Sequence, residues 1–376
     1  MRFFSKSRRR PDYVLIAAIV FLILFGLAML ASASSNLGEV RFGDPYYFLK
    51  RQASFGLAVG TLGFIVGATV HYKSYRNAAL IFLLLSFILV ALVFTPLGFG
   101  TTGATRWLSL GPLSFQPSEI LKITLVIYLA AWLSRESERQ KSFSRGVVPF
   151  LIVIGGISGL LLGQPSTSML ALLIAAATIM YFMSGAKLRY IAGIVGSGIL
   201  VIGIIVFVAS RVTPGPDTDY RILRIRTFLG LDRNEAGEAF HIRQAKIAIG
   251  SGGIGGVGYG QSTTKIRYLP EPMGDSIFAV IAEELGFIGA TTIIAVFGVL
   301  VLRMLILARR ARDKFGGLIL VGFASVIALQ VFIHIGAISG IIPLTGIPLP
   351  FVSYGSTALA VFMTMGGIAV NISKYV

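Results

Sequence analysis

The chain has 376 residues, of which 55% are apolar and only 13% are charged, with no cysteine and a formal net charge of +17. A soluble domain carries about 25% charged residues, and a soluble chain this apolar would expose large hydrocarbon patches. The composition therefore excludes a soluble enzyme and predicts an all-α polytopic membrane protein, with apolar residues for some ten spans of roughly 20 residues each. The absence of cysteine excludes disulfide bonds and thiolate metal sites.

Apolar windows follow one another along the chain, and the first runs from Tyr13 to about Leu30. It follows three arginines and is too long for the hydrophobic region of a cleaved signal peptide, so we expect a retained membrane anchor. The other nine windows lie near residues 51–70, 77–97, 117–134, 147–163, 167–183, 190–210, 277–302, 316–340 and 352–373. The sequence thus predicts ten transmembrane helices in a single membrane domain over residues 1–376.

The distribution of Lys and Arg between the loops predicts the orientation of the chain. With the amino terminus inside, the inside loops and termini carry nineteen of these cations, whereas the short outside loops carry four. Cytoplasmic loops are enriched in Lys and Arg, and long loops are largely exempt from this rule, so both termini are expected in the cytoplasm. The charge of +17 is then mostly a topology signal, and we expect no nucleic-acid partner.

One outside loop, residues 211–276, is long enough to form a subdomain within the membrane domain. Its stretches 221–230 and 237–249 carry apolar residues at helical spacing, interleaved with cations. We expect them to form amphipathic helices that lie along the outer membrane interface, with apolar sides toward the membrane lipids and cations toward phosphates.

Few carboxylates lie in or beside the spans, and each is a candidate functional group because ionisable side chains are costly at membrane depth. Glu119 and Lys122, three residues apart in the fourth window, share a helix face. They form either an internal ion pair that holds the bundle together or part of a polar cavity beneath loop 98–116, where Arg106 offers a bidentate phosphate ligand.

The best general-base candidate is Asp275, which ends a proline-bounded loop just before the eighth window. Asp275 and Glu283 are eight residues apart, a spacing that would place both carboxylates on one helix face, about 12 Å apart in depth. Lys265 and Arg267 lie close by in sequence and supply positive charge. The alternative is that Asp275 only caps the helix, since Asp is a favoured N-cap residue.

Three further patterns carry weaker signals. Residues 250–255 match GxGxxG but follow an amphipathic helix instead of a strand, so we expect a flexible or tightly turning segment near a ligand and no dinucleotide site. The three histidines are scattered, without metal-ligand spacing. The Pro- and Gly-rich stretch 343–356, which includes Ser353, is expected to form a re-entrant wall of the outward site, because irregular backbone at that depth must be buried or line a cavity.

Four stretches, in order and spread over nearly the whole chain, resemble motifs of one protein family. They are Arg106-Trp107 with Gln116-Pro117-Ser118-Glu119, residues 248–253, residues 268–286 and residues 348–355. In these the chain is similar to the shape, elongation, division and sporulation (SEDS) family, the FtsW/RodA peptidoglycan polymerases. Residues 44–52 look more like the division branch and residues 345–348 more like the elongation branch, and we lean to the division branch.

The resemblance implies an inverting glycosyltransferase that joins lipid II into β-1,4 glycan strands on the outer face of the bacterial cytoplasmic membrane. The position that matches the family's essential aspartate is Asp275, as the general base. A class B penicillin-binding protein transpeptidase is the expected partner. A divalent cation, Mg²⁺ or Mn²⁺, is a candidate cofactor, and no organic cofactor is expected. The expected substrate-binding residues are Arg106, Glu119, Lys122, Arg243, Lys265, Arg267, Glu283 and Ser353.

The sequence departs from the family pattern at Ser166, His334 and Ser356, where Asp, Asn and Gly are usual, and at Met273-Gly274, where His-Thr is usual. These departures keep Asp275 but weaken the case for a metal site or a second carboxylate near Ser166. Two other functions remain open: a lipid II transporter, which needs a site near the midplane between repeated halves, and a non-catalytic scaffold of the division machinery.

Overall fold

The computed structural model describes residues 10–100, 105–111, 113–135, 138–211, 220–231 and 237–376. Its α-helices are, in chain order, α1 (Tyr13–Phe42), α2 (Tyr47–Arg51), α3 (Ala58–Thr69), α4 (Ser74–Leu92), α5 (Pro117–Leu133), α6 (Val148–Gly163), α7 (Thr167–Met183), α8 (Leu188–Arg211), α9 (Tyr220–Phe228), α10 (Glu238–Ser251), α11 (Thr264–Arg267), α12 (Ile277–Arg310), α13 (Lys314–Ile338) and α14 (Ser356–Ser373). The π-helical segments Gln52–Leu57 and Phe143–Val147 lead into α3 and α6.

Helices occupy all ten predicted windows, and eight helical segments are long and apolar enough to cross a membrane. The helices in the fourth and sixth windows, α5 and α7, are shorter, with 17 residues each. Loop 211–276 contains the helices α9 and α10, near the two stretches with helical spacing, while residues 212–219 and 232–236 of this loop lie outside the described residues. The protein is therefore mostly helical, with eight candidate membrane spans.

The expectation of an all-α fold is wrong in the connection between α4 and α5, which contains a small antiparallel sheet. Its strands are β1 (Gly98–Phe99), β2 (Trp107–Leu110) and β3 (Leu113–Phe115), in the order β1-β2-β3. Leu110 pairs with Leu113 across a tight connection in which Gly111 has a φ of 64°. Apolar and polar residues alternate in Leu108-Ser109-Leu110 and in Leu113-Ser114-Phe115, a pattern typical of strands. A search for long apolar windows does not detect strands this short.

The buried centre of the bundle lies around α5, α13 and α14, whereas α8 stands at the periphery with Ala209 as its buried residue.

Glycines let α3 and α14 approach closely. A Cβ atom on Gly67 would lie 2.9 Å from the backbone nitrogen of Ile368, and one on Gly367 would lie 2.3 Å from the carbonyl oxygen of Phe64. Small residues of this kind are typical of helix contacts within membranes, where packing replaces the hydrophobic effect.

The helix that follows Asp275 is interrupted. In α12, Gly286 has a φ of 65° and a ψ of −164°, which no α-helix contains. The carbonyls on the amino-terminal side of the interruption lose helical partners but accept hydrogen bonds from another segment. The N–H of Val257 donates to the carbonyl of Glu283 (2.9 Å), and that of Gly258 donates to Glu284 (3.0 Å). These bonds satisfy backbone groups that would be costly to leave unpaired within a membrane.

The glycine-rich segment 250–258 lies directly against this interruption. The N–H of Phe287 donates to the carbonyl of Gly253 (2.9 Å), on the far side of the break. A Cβ atom on Gly256 would lie 2.2 Å from the carbonyl oxygen of Glu284, so any larger residue would separate the two backbones. The GxGxxG match is therefore explained by a backbone contact with α12, and the expected turn beside a ligand is not needed to account for it.

Substitution of Gly256 tests this contact. We expect Gly256→Ala to lower stability by more than about 2 kcal/mol, because the new methyl group meets the α12 backbone and the residue has a φ of 80°. The measurement is thermal unfolding of the purified protein in detergent. The matched control is Gly255→Ala, since no atom lies within 4 Å of a Cβ atom at that position. Equal unfolding temperatures for the two variants would contradict the contact.

Candidate functional site

Asp275 lies just outside α12, in the loop between Pro270 and the start of the helix at Ile277. The N-cap residue of α12 is Ser276, so the hypothesis that Asp275 caps the helix is wrong. The expected shared helix face of Asp275 and Glu283 is also wrong, because the helix begins two residues after Asp275. Within the described part of the chain, the Asp275 carboxylate has no hydrogen-bond donor.

Asp275 lies in the wall of a cavity of about 300 Å³, which we call the Trp107 cavity. Its walls come from distant parts of the chain: α2, the small sheet, the Asp275 loop and the segment that precedes α14. Its other lining residues are Arg51, Phe55, Trp107, Ser114, Glu271, Met273, Gly274, Tyr354, Gly355 and Ser356. The cavity thus combines three aromatic rings, several hydroxyl groups and one guanidinium group beside a single half-buried aspartate.

A smaller cavity of about 40 Å³, which we call the Arg106 cavity, lies on the other side of Gly346. Gly346 lines it with a φ of 65°, and a Cβ atom at this position would lie 3.1 Å from the Asp275 Oδ2 atom. Arg106 and Arg224 both line this cavity, together with Ser166, the N-cap residue of α7. Two guanidinium groups and a helix N-terminus therefore lie together, an arrangement that favours an anion.

The environment of Asp275 raises its pKa to about 6. The largest cause is burial, which disfavours the charged form, and the nearby Glu271 carboxylate adds to it. Arg224 and Arg106 act in the opposite direction, since their positive charges favour the carboxylate. A carboxyl group of this kind can exchange protons near neutral pH, as a general base must.

The two arginines are held in place by different partners. Arg106, just before β2, donates to the backbone carbonyls of Gln164 (3.3 Å) and Pro165, which precede α7. Arg224, on α9, pairs with Glu238 at the start of α10 (2.6 Å). Arg106 is a predicted phosphate ligand, whereas Arg224 and Arg51 are not among the substrate-binding residues predicted from the sequence. Their sequence context gives no signal for the site, because it is tertiary packing that brings them to Asp275.

Hydrogen bonds from α10 hold the Asp275 loop on one side. The Nε2 atom of His241 lies 2.5 Å from the hydroxyl of Ser276, which itself donates to the carbonyl of Pro270 (2.7 Å). Since the single hydroxyl proton is used in that bond, His241 must donate through Nε2–H. Burial lowers the pKa of His241 to about 4, so the ring is neutral at physiological pH.

The predicted residue Ser353 holds the same loop on the other side. Its hydroxyl donates to the carbonyl of Gly274 (2.8 Å) and accepts from the N–H of Leu349 (2.8 Å). The N–H of Tyr354 donates to the carbonyl of Met273 (2.8 Å). The stretch 343–356 thus forms part of the wall beside Asp275, and Ser353 contacts the loop backbone.

Both hypotheses for Glu119 and Lys122 describe part of what is found. The two side chains form a buried ion pair (2.7 Å), and Lys122 also donates to Gln330 (2.8 Å). Glu119 lines the Arg106 cavity, and its Oε1 atom has no hydrogen-bond partner among the described residues. Gln330 in turn donates to the carbonyl of Pro348 (2.7 Å), so this buried network reaches the wall of the site.

Two predicted residues lie in closed polar clusters that do not include Asp275. Lys265 donates to Glu284 (2.5 Å) and to the hydroxyl of Ser32 on α1 (2.8 Å). Glu283 accepts from the hydroxyls of Ser262 (2.5 Å) and Thr264 (2.8 Å), along with the N–H groups at the start of α11. These contacts anchor the loop before Asp275 to α12 and α1.

The remaining predicted residues, Arg243 and Arg267, are not among the lining residues of these two cavities. Arg243 lies on α10 beside a separate open cavity of about 630 Å³, and the side chain of Arg267 lies outside the described residues. Of the departures from the family pattern, Ser356 lines the Trp107 cavity, and His334 contacts the carbonyl of Ile347 through Nδ1 (2.8 Å).

A resident divalent cation does not fit the described residues. They contain no group of three or more His, Asp or Glu side chains that could ligate one. Asp275 lies under the influence of two guanidinium groups, which repel a cation and favour an anion. We therefore derive no chemical step through a metal.

Known proteins resemble the chain over almost its whole length. A family model described as a cell cycle protein, for FtsW, RodA and SpoVE, matches residues 13–376. Stage V sporulation protein E of Bacillus subtilis (strain 168) is 36% identical over 375 residues, which are 99% of each protein. A probable peptidoglycan glycosyltransferase FtsW of Trichlorobacter lovleyi is 38% identical over 363 residues, 96% of this chain and 93% of that one.

Among solved structures, a chain from a study of polymerization and crosslinking by a peptidoglycan synthase complex has a TM-score of 0.77 and 26% identity, covering 96% of this chain and 97% of that one. The fold, the order of the motifs and the extent of these matches agree with one another. The chain belongs to the FtsW/RodA/SpoVE family of cell cycle proteins.

Proposed function

We propose that the protein is a peptidoglycan glycosyltransferase that polymerises lipid II, with Asp275 as its general base. One observation carries the assignment: a carboxyl group with a raised pKa and no hydrogen-bond donor among the described residues borders a 300 Å³ cavity, and two guanidinium groups lie beside it. The names of the relatives support the enzyme class, since several are probable peptidoglycan glycosyltransferases.

The chemistry requires one proton transfer and one displacement. Asp275 accepts the proton of the acceptor sugar's 4-hydroxyl as that oxygen attacks C1 of the donor sugar. The bond from C1 to the lipid pyrophosphate breaks, and the electron pair leaves with the pyrophosphate. General-base catalysis of this kind typically contributes about 10²–10⁴-fold. A single displacement inverts an α-linked donor to a β-glycoside without a covalent enzyme intermediate.

The two cavities suit the two reacting parts of the substrates. The Trp107 cavity offers aromatic faces and hydroxyl groups to the acceptor sugar, with its 4-hydroxyl toward Asp275. The Arg106 cavity offers Arg106, Arg224 and the N-terminus of α7 to the departing pyrophosphate. Fixed positive charge at the leaving group stabilises the transition state, because negative charge develops there. Arg224 and Arg51 thereby join the substrate-binding set predicted from the sequence.

The proposed membrane arrangement has ten spans, with α5 and α7 as the two short ones and both termini in the cytoplasm. Asp275 then faces the outside of the bacterial cytoplasmic membrane, where a class B penicillin-binding protein would crosslink the strands. We place the protein in the division branch. A transporter is less well supported, because its site would lie near the membrane midplane, whereas the two cavities adjoin the segments between the spans.

Replacement of the carboxylate tests the base. Asp275→Asn is expected to lower the rate of glycan-strand formation from labelled lipid II by at least about 100-fold, because the amide cannot accept the proton. The assay uses the purified full chain with its transpeptidase partner. The matched control is Asp44→Asn, at a partly exposed carboxylate paired with Lys50, and this variant should stay active. Normal polymerisation by Asp275→Asn would refute the base, and flipping without polymerisation by the parent would favour the transporter.

The pKa of Asp275 predicts how the rate depends on pH. Because burial raises this pKa to about 6, the rate should fall about tenfold for each pH unit below 6 and level off above it. Glu271→Gln is expected to move the midpoint to lower pH, since the Glu271 carboxylate helps to raise the pKa. A midpoint near the ordinary Asp value of 3.8 in the parent would contradict the assignment.

The same pKa shift predicts that the free energy of unfolding decreases as the pH rises, whereas the rate increases. The folded protein holds the Asp275 proton more tightly than the unfolded chain, so the stabilising contribution is complete below about pH 4 and is lost as the pH rises through 6. Asp275→Asn is therefore expected to unfold at a higher temperature than the parent at about pH 8. The advantage should vanish near pH 4, as thermal unfolding at both values would reveal.

The bond between His241 and Ser276 predicts a positioning role. We expect His241→Leu to lower kcat about tenfold with little change in KM, since the loop that carries Asp275 loses its donor. Ser276→Ala should act alike, and the double variant should be no worse than either single one. His241→Gln keeps an N–H donor and should recover most activity. Additive losses in the double variant would show that the two residues act separately.

A further inference from the structure

One large cavity among the described residues has no part in the proposed reaction. It has a volume of about 830 Å³, within the range of about 300–1,000 Å³ that is usual for small-molecule sites. It lies between α7, α12 and α13, near the carboxyl end of α12. Asp275 precedes the other end of this 34-residue helix.

The walls of this cavity are apolar and open toward lipid. They include Met183 on α7, Leu305 on α12, and Leu329 and Phe332 on α13. Met183 is 52% exposed and Phe332 is 62% exposed, so nothing in the described protein covers this side. Side chains of this kind match the acyl chains of a lipid and offer no partners to a polar solute.

The mouth of the cavity is positively charged. Arg309, Arg312 and Lys314 line it and are exposed, and none of them forms an ion pair within the described part of the chain. Asp313 also lines the cavity, but its Oδ1 accepts from the N–H of Gly316, and its Oδ2 accepts from the hydroxyl of Tyr72 and lies 3.9 Å from the Nζ of Lys73. Glu138, which pairs with Lys141, interacts electrostatically with Lys314. The positive end of the α13 dipole lies at the same mouth, since α13 begins at Lys314.

We propose that this cavity binds one anionic phospholipid from the leaflet at this end of the bundle, which the Lys and Arg count assigns to the cytoplasm. Arg309, Arg312 and Lys314 hold the headgroup phosphate, and the acyl chains lie between α7, α12 and α13. Basic pockets between membrane helices on the cytoplasmic side bind anionic headgroups in this way. The site is independent of Asp275 and of the proposed reaction.

The headgroup is tested by removal of the three cations. Native mass spectrometry of the purified full chain would measure retention of added dioleoyl phosphatidylglycerol against dioleoyl phosphatidylcholine. We expect the parent to retain the anionic lipid selectively, and Arg309→Ala/Arg312→Ala/Lys314→Ala to bind it on the order of a hundredfold more weakly at low salt. The matched control is Arg76→Ala/Arg135→Ala/Arg145→Ala, which removes the same charge from the same side but not from the cavity.

The acyl-chain part is tested without any change of charge. Ala328 lines the cavity on α13, and Ala328→Trp would fill the space that the chains occupy, so selective retention should fall while the unfolding temperature without lipid stays near that of the parent. Equal retention of both lipids by the parent overturns the proposal. So does an equal loss in the two triple variants, which would mark a diffuse surface charge, or full retention by Ala328→Trp.

Discussion

The backbone hydrogen bonds between the glycine-rich segment and the interrupted helix α12 determine where the loop before Asp275 lies. A helix that stops at Gly286 inside an apolar bundle leaves carbonyl and N–H groups without partners, and residues 253–258 supply them. Because the two backbones touch, the loop that follows the glycines is placed against the amino-terminal part of α12. The clusters around Glu283 and Glu284 then fasten that loop, with α11, to α12 and α1.

The proposed base differs from the other carboxylates near it in what surrounds it. Glu283 and Glu284 each accept hydrogen bonds from several donors. The loop of Asp275 is held by its backbone instead, through the hydroxyls of Ser353 and Ser276, and its carboxylate has no hydrogen-bond donor among the residues that the structure describes. The positive charges of Arg106 and Arg224, which favour the Asp275 carboxylate, lie in the Arg106 cavity. In the proposed reaction these two side chains would bind the leaving pyrophosphate.

The helices could be predicted from the sequence, because hydropathy and helical spacing are local properties. Asp275 was chosen for its place between a proline-bounded loop and a span, and the cavities support that choice. The strands at Trp107–Leu110 were missed because short alternating segments do not alter the mean hydropathy. Sequence distance does not report tertiary distance. Arg224 is 51 residues from Asp275 yet influences its pKa, whereas Lys265 is closer in sequence and pairs with Glu284.

The carboxylates differ in whether their surroundings give them access to solvent, and this difference matters for the proposed base. Glu119, Glu283 and Glu284 are buried, and the latter two are enclosed by their donors, whereas Asp275 borders a cavity formed by the segments between spans. In the proposed orientation that cavity belongs to the exterior. The base would then equilibrate with the surrounding medium, and a bacterium with a well-buffered cytoplasm would still have its glycan polymerisation slowed by acid in its environment.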